Sequence, residues 1–177
     1  MAGKALLIFC SSSSDIDPAY NEAARDVVRT AAAAGYSIVY GGAVSGTMGV
    51  VAEEASKCGI GNVGVIPRFM SDRLSPGLTS TVWTDTMSER KGKMREAGPD
   101  ICIALPGGIG TMDEFFETYT LAKLGKYHGK VVVYNCKGYY DGLQELLDHF
   151  TGERMLPEND RNMVHFISTP EELKALL

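Results

Sequence analysis

Seven apolar runs of strand length alternate with helix-like segments along this chain: ALLIFC (5–10), YSIVY (36–40), NVGVIP (62–67), TSTVW (79–83), DICIAL (100–105), KVVVYN (130–135) and VHFI (164–167). Their near-continuous apolarity marks strands covered on both faces, as in a parallel sheet, and not the strict alternation of a half-exposed one. The segments between them read as helices over about 18–34, 46–58, 87–97, 111–125, 138–150 and 170–177; the first opens with Asp17 as N-cap and Pro18 at the first helical position. The alternation predicts an α/β protein, a single Rossmann-like doubly wound domain over residues 1–177 with a mainly parallel sheet and helices on both faces. In such a fold the ligand lies beyond the carboxyl ends of the strands. Residues 68–78, RFMSDRLSPGL, have Pro and Gly without a clear period and read as an ordered loop or short helix.

A chain of 177 residues suits one core. Its net charge of -5 argues against DNA or RNA as partner. No apolar run reaches the roughly 20 residues of a membrane span, and MAGKALLIFC (1–10) is too short for a secretory signal, so a cytoplasmic protein is expected. Cys10, Cys58, Cys102 and Cys136 lack C-x-x-C spacing and read as reduced structural residues, while His128, His149 and His165 are scattered; no metal is expected.

The residues that follow strands carry the chemistry. A Ser cluster (11–14) follows the first run, GGAVSGTMG (41–49) the second, and PGGIGT (106–111) the fifth. Gly107 and Gly108 allow backbone N–H groups to converge on an anion at the start of a helix. Two such turns at one sheet edge favour a phosphate-bearing ligand over bare strand-to-helix connections. Neither turn completes G-x-G-x-x-G, and G-K-[ST] is absent, which disfavours NAD binding and ATP hydrolysis.

Thr111 and Glu114 have a competing structural reading, because T-x-x-E is the spacing of a capping box, repeated at Thr86/Glu89 and Thr169/Glu172. In TMSERKGKMREAG (86–98), Met87, Lys91 and Met94 share one helical stripe bordered by Arg90. A guanidinium beside a buried stripe needs an anion, which a phosphate or Glu114 would supply; a solvated basic face is the alternative.

MSERKGKM followed by PGGIGTMDEFFE resembles the paired signature of the LONELY GUY family, a Met, an Arg-Lys and a Met upstream of P-G-G-x-G-T-x-x-E. The similarity extends through FCSSS, IVYGGAVSGTMG, GVIP, Leu124-Gly125 and Gly138-Tyr139-Tyr140. Older labels describe such proteins as lysine decarboxylase-like. The resemblance implies a cofactor-free phosphoribohydrolase, cleaving the N-glycosidic bond of a cytokinin or adenosine 5′-monophosphate to free base and ribose 5-phosphate. It implies Arg90 and Glu114 as the catalytic pair, the phosphate on Gly107, Gly108, Gly110 and Thr111, and Gly42, Met87 and Lys91 among the substrate-binding residues. The chain departs from the family pattern at Ser11, at Ala43 and Thr47, and at Leu121-Ala122, positions that bear on pocket shape and substrate preference.

A homodimer is expected, since Phe115, Phe116, Tyr119 and Leu121 place apolar groups on more than one face of their helix. The competing function is a binding protein on the same fold, resembling molybdenum cofactor carriers. The presence of both Arg90 and Glu114 favours the hydrolase. A pyridoxal-dependent decarboxylase is disfavoured, because no lysine has a recognisable Schiff-base context.

Overall fold

The computed structural model describes residues 3–177. Seven strands, β1 (Ala5–Phe9), β2 (Ser37–Tyr40), β3 (Asn62–Pro67), β4 (Ser80–Thr84), β5 (Ile101–Ala104), β6 (Lys130–Tyr134) and β7 (Val164–Ile167), form one sheet in the order β4-β3-β2-β1-β5-β6-β7. Every pairing is parallel. Among the described residues there are seven α-helices, α1 (Pro18–Ala33), α2 (Gly46–Lys57), α3 (Met87–Ala97), α4 (Ile109–Lys123), α5 (Asp141–Gly152), α6 (Glu158–Arg161) and α7 (Pro170–Leu176). None is long and apolar enough, among the described residues, to cross a membrane.

The period of two in β1 divides the core into two layers. Leu6 and Ile8 pack with Ala24, Val27, Val51 and Leu173 of α1, α2 and α7. Leu7 and Phe9 pack on the opposite face with Met94, Phe115, Tyr119 and Leu147 of α3, α4 and α5. All five residues of β1 are buried, as its unbroken apolar run requires. The edge strands β4 and β7 are partly exposed, since each has a neighbour on one side only.

Local chemistry sets the helix starts. The Asp17 carboxylate accepts from the Ala19 N–H at 2.9 Å and Pro18 supplies the first helical residue, so α1 begins where the sequence places it. Thr169 and Glu172 form a reciprocal capping box at α7.

Residues 68–73 form a 3-10 helix, consistent with the short-helix alternative. Two helix starts differ from the sequence reading. The helix expected from 138 starts at Asp141, because Lys137 (φ 55°) and Gly138 (φ 72°) are left-handed and break any helical run there. The helix expected from 111 starts at Ile109 with Gly108 at its N-cap position. The four-residue α6 is too short to carry a periodic signal.

Topology fixes where a crevice opens. From β1 the chain steps outward through β2, β3 and β4, then returns to place β5 on the other side of β1. The connections after β1 and β5 therefore leave in opposite directions, and the switch point lies between these two strands.

Candidate active site

A cleft of about 300 Å³ opens at that switch point. The turn after β1 contributes Cys10 to Ser13, and the turn after β2 contributes Gly41, Ala43 and Ser45. Met48 of α2, Met70 and Arg73 of the 3-10 helix, and Met87 and Arg90 of α3 form further walls. Gly108 to Thr111 and Glu114, at the start of α4, close the remaining side.

Arg90 and Glu114 meet in this cleft. Arg90 Nη1 donates to Glu114 Oε1 at 2.6 Å, and Nε donates to the Val65 carbonyl of β3 at 3.0 Å. Both residues are only 8% exposed. Burial pushes the Glu114 carboxyl above the usual glutamate range, and the Arg90 charge opposes that rise. Burial also pushes the neighbouring Cys10 thiol up, reinforced by the Glu114 charge, so sulfur there stays protonated.

The α4 boundary rules out the capping-box reading of T-x-x-E at Thr111. Thr111 sits inside the helix, the N-cap position is Gly108, and Glu114 directs its carboxylate to Arg90 instead of to a cap amide. Thr86 and Thr169 do act as caps, accepting from the Glu89 and Glu172 amides. The partner of Glu114 is thus 24 residues away in sequence, whereas its two look-alikes serve local turns.

The N-terminus of α4 presents unused donors. Its first i→i−4 bond runs from Met112 N to Gly108 O, leaving the Ile109, Gly110 and Thr111 amides ahead of it. Their dipoles and those of the following turns favour an anion there. Gly108 and Gly110 are exposed, and a Cβ on either would meet nothing within 4 Å.

The remaining sequence-selected residues divide by position. Met87 lines the cleft but is 43% exposed, so the buried face of α3 consists of Arg90 and Met94 and not a continuous Met87–Lys91–Met94 stripe. Lys91 lies outside the cleft, with Nζ 2.9 Å from both Asp113 oxygens and also paired with Glu117. Burial lowers its pKa, and the Glu117 and Asp113 carboxylates more than reverse that, holding it a firm cation. Arg95 adds a 2.6 Å bond to Glu117, so Lys91 and Arg95 clamp α3 to α4.

Gly42 and Gly107 also stand behind the cleft surface. Gly42 has φ 75°, and a Cβ there would press on the Gly64 backbone at 3.2 Å. A Cβ on Gly107 would lie 2.1 Å from Thr111 Oγ1. Gly41, which the sequence reading did not single out, has a sharper requirement: its Cβ would sit 2.2 Å from Arg90 Nη2 and 2.9 Å from Met48 Sδ. The paired glycines 41–42 were the available signal for it. Met70 and Arg73 carried none, coming from a segment without periodicity.

Comparison with known proteins agrees with the motifs. A family model described as "Possible lysine decarboxylase" matches residues 48–177. A probable cytokinin riboside 5′-monophosphate phosphoribohydrolase of Oryza sativa subsp. japonica is 33% identical over 175 residues, 96% of this chain and 81% of that protein. A cytokinin riboside 5′-monophosphate phosphoribohydrolase of Arabidopsis thaliana is 33% identical over 169 residues, covering 94% and 73%. The chain belongs to the LONELY GUY family. The fold of this LONELY GUY protein is also that of a molybdenum cofactor binding protein from the bacterium Rippkaea orientalis, with TM-score 0.75 at 20% identity over 99% of this chain and 96% of that one. The molybdenum cofactor carrier protein of Chlamydomonas reinhardtii gives TM-score 0.73 at 20% identity, covering 97% and 94%. At that identity the likeness concerns the fold alone.

The glycine geometry predicts unequal tolerance within PGGIGT. Gly107→Ala should lower unfolding free energy by about 1–3 kcal/mol through overpacking against Thr111. Gly110→Ala, in open space at the start of a helix, should leave it unchanged or raise it by up to ~1 kcal/mol. Denaturant melts of the two variants check the contrast; equal costs would contradict it.

Proposed function

We propose that this protein hydrolyses the N-glycosidic bond of a nucleoside 5′-monophosphate, the base being adenine or an N6-substituted cytokinin, to give free base and ribose 5-phosphate. The observation that carries the reading is the buried Arg90–Glu114 pair in one cleft with the open N-terminus of α4. Relatives at 33% identity that are named as cytokinin riboside 5′-monophosphate phosphoribohydrolases support the same assignment.

The spacing suits the substrate. Gly110 and Glu114 are four residues apart on α4, which is about 6 Å along a helix, the scale of a ribose with its 5′-methylene. A phosphate seated on the amides of Gly108 to Thr111 directs the sugar toward Glu114. Cleavage of the C1′–N bond builds positive charge on the ribose, and a carboxylate at that face stabilises it and orients the attacking water. Water supplies the hydroxyl at C1′ and a proton for the departing base. Arg90 opposes protonation of Glu114, which burial alone would favour. Met48, Met70 and Met87 give the cleft three polarizable thioethers against which an aromatic base packs.

Incubation with nucleotides and nucleosides, followed by assay of free base and ribose 5-phosphate, tests the reading. AMP or a cytokinin 5′-monophosphate should react far faster than its nucleoside, because the phosphate provides the binding energy that orients the sugar. Glu114→Gln should remain folded and lose about 10²–10³-fold in kcat. Since ionised Glu114 is the active form and its pKa is raised, kcat/KM should fall as pH drops through a value above the ordinary glutamate range. Tight nucleotide binding without turnover would replace the hydrolase by a carrier.

The second part of the proposal is assembly as a homodimer. Ile109 is 88% exposed, and with Met112, Phe116 and Leu121 it lines a shallow apolar depression along α4 beside the cleft. A second copy related by a two-fold axis covers that face. Light scattering should give twice the 19.1 kDa chain mass; an active species of chain mass would overturn it.

A further inference from the structure

The Gly138-Tyr139-Tyr140 motif has no atom in the cleft, yet both tyrosine hydroxyls bond to the turn that bears the glycines. Tyr139 Oη donates to the Gly107 carbonyl at 2.8 Å, and Tyr140 Oη donates to the Leu105 carbonyl at 2.7 Å. Burial pushes the Tyr140 hydroxyl well above the ordinary tyrosine range, so it remains a donor. The Leu105 amide is bonded in turn to Phe9 O at 2.9 Å, which pins that residue on both sides.

The Tyr139 bond has a geometric consequence. The Gly107 carbonyl and the Gly108 N–H belong to one peptide plane and point in opposite directions across it. Fixing the carbonyl on Tyr139 therefore turns the Gly108 N–H to the other side. Gly108 lines the cleft and Tyr139 does not. A Gly-Gly peptide has little steric preference of its own between the two orientations, so the orientation must be imposed from outside the turn.

The tyrosines are themselves held. Asn135 Oδ1 accepts from the Tyr140 amide at 2.7 Å, while its Nδ2 donates to Asp141 at 2.7 Å. Gly138, at φ 72°, leaves room where a Cβ would lie 2.6 Å from Asp141 Oδ2. Lys137 pairs with Asp17, and Tyr20 of α1 meets the Tyr139 ring edge-on at 5.4 Å between centroids. A loop after β6 is thus anchored to the start of α1 and presents two hydroxyls to the turn after β5.

We infer that Tyr139 is a positioning residue for phosphate binding: it holds the Gly107–Gly108 peptide in the orientation that adds the Gly108 N–H to the helical amides of α4. Tyr140 fixes the entry to the same turn. The inference rests on the phosphate seat described above and extends it to a loop that touches no substrate.

Tyr139→Phe removes the hydroxyl and keeps the ring. Calorimetric titration with inorganic phosphate should show affinity falling about tenfold, as for loss of one orienting hydrogen bond. KM for the nucleoside 5′-monophosphate should rise by a similar factor with kcat within about twofold, and kcat/KM for the unphosphorylated nucleoside should not change. Thr169→Ala, which removes the remote α7 cap, should leave phosphate affinity intact and serves as the stability control.

Unchanged phosphate affinity in Tyr139→Phe, or equal losses on nucleotide and nucleoside, would overturn the inference. So would a parent protein that does not bind phosphate. If phosphate affinity falls as expected but the parent cleaves no nucleotide, the positioning role stands and the hydrolase assignment fails. If the parent cleaves nucleotides and the variant is unaffected in KM and phosphate affinity, the hydrolase stands and the role of Tyr139 fails.

Discussion

The 2.6 Å contact between Arg90 and Glu114 draws four parts of the structure to one point. Arg90 comes from α3, Glu114 from α4, the second acceptor of the guanidinium from β3, and its space from the bare Gly41 at the end of β2. Two charges of opposite sign removed from water must find each other, and a buried pair of this kind adds little net stability over apolar residues of the same shape. Stability alone therefore does not account for it. A carboxylate whose pKa burial raises and a neighbouring cation pulls back, in a cleft beside a row of backbone donors, fits the proposed role of stabilising positive charge on a bound sugar.

The elements around the pair hold it in register. Lys91 and Arg95, with Asp113 and Glu117, clamp α3 to α4 along the flank that faces away from the cleft. Neighbouring positions on each helix thus have different work: Lys91 and Asp113 join the helices, and Arg90 and Glu114, one residue away on each, line the cleft. Glycines complete the arrangement by being narrow. Gly41 admits the guanidinium and Gly107 admits Thr111, while Gly108 and Gly110 leave the helix start open.

Much of this was legible in the sequence, and what was not has physical reasons. The strands were readable because burial on both faces forces continuous apolar runs, and α1 because Asp17-Pro18 is a local start signal. Glu114 was ambiguous because a capping glutamate and an ion-paired glutamate have the same local spacing; only a contact between residues 24 apart separates them. Met87 and Lys91 share the helical stripe of Met94, but tertiary packing buries Arg90 with Met94 and leaves Met87, in the first turn, exposed. Gly41, Met70 and Arg73 enter the cleft through tertiary approach, which leaves no periodic trace.

The central claim is that the Arg90–Glu114 pair is retained for chemistry and not for stability, and a double-mutant cycle tests it most directly. Arg90→Met leaves a buried carboxyl group without its cation, and adding Glu114→Gln removes that liability. Thermal melts should therefore place the double variant above Arg90→Met alone, while each single variant and the double retain less than about a hundredth of the parent kcat/KM for nucleoside 5′-monophosphate. A double variant that is destabilised by the sum of the singles, or any member of the cycle that keeps near-parent turnover, would contradict the account.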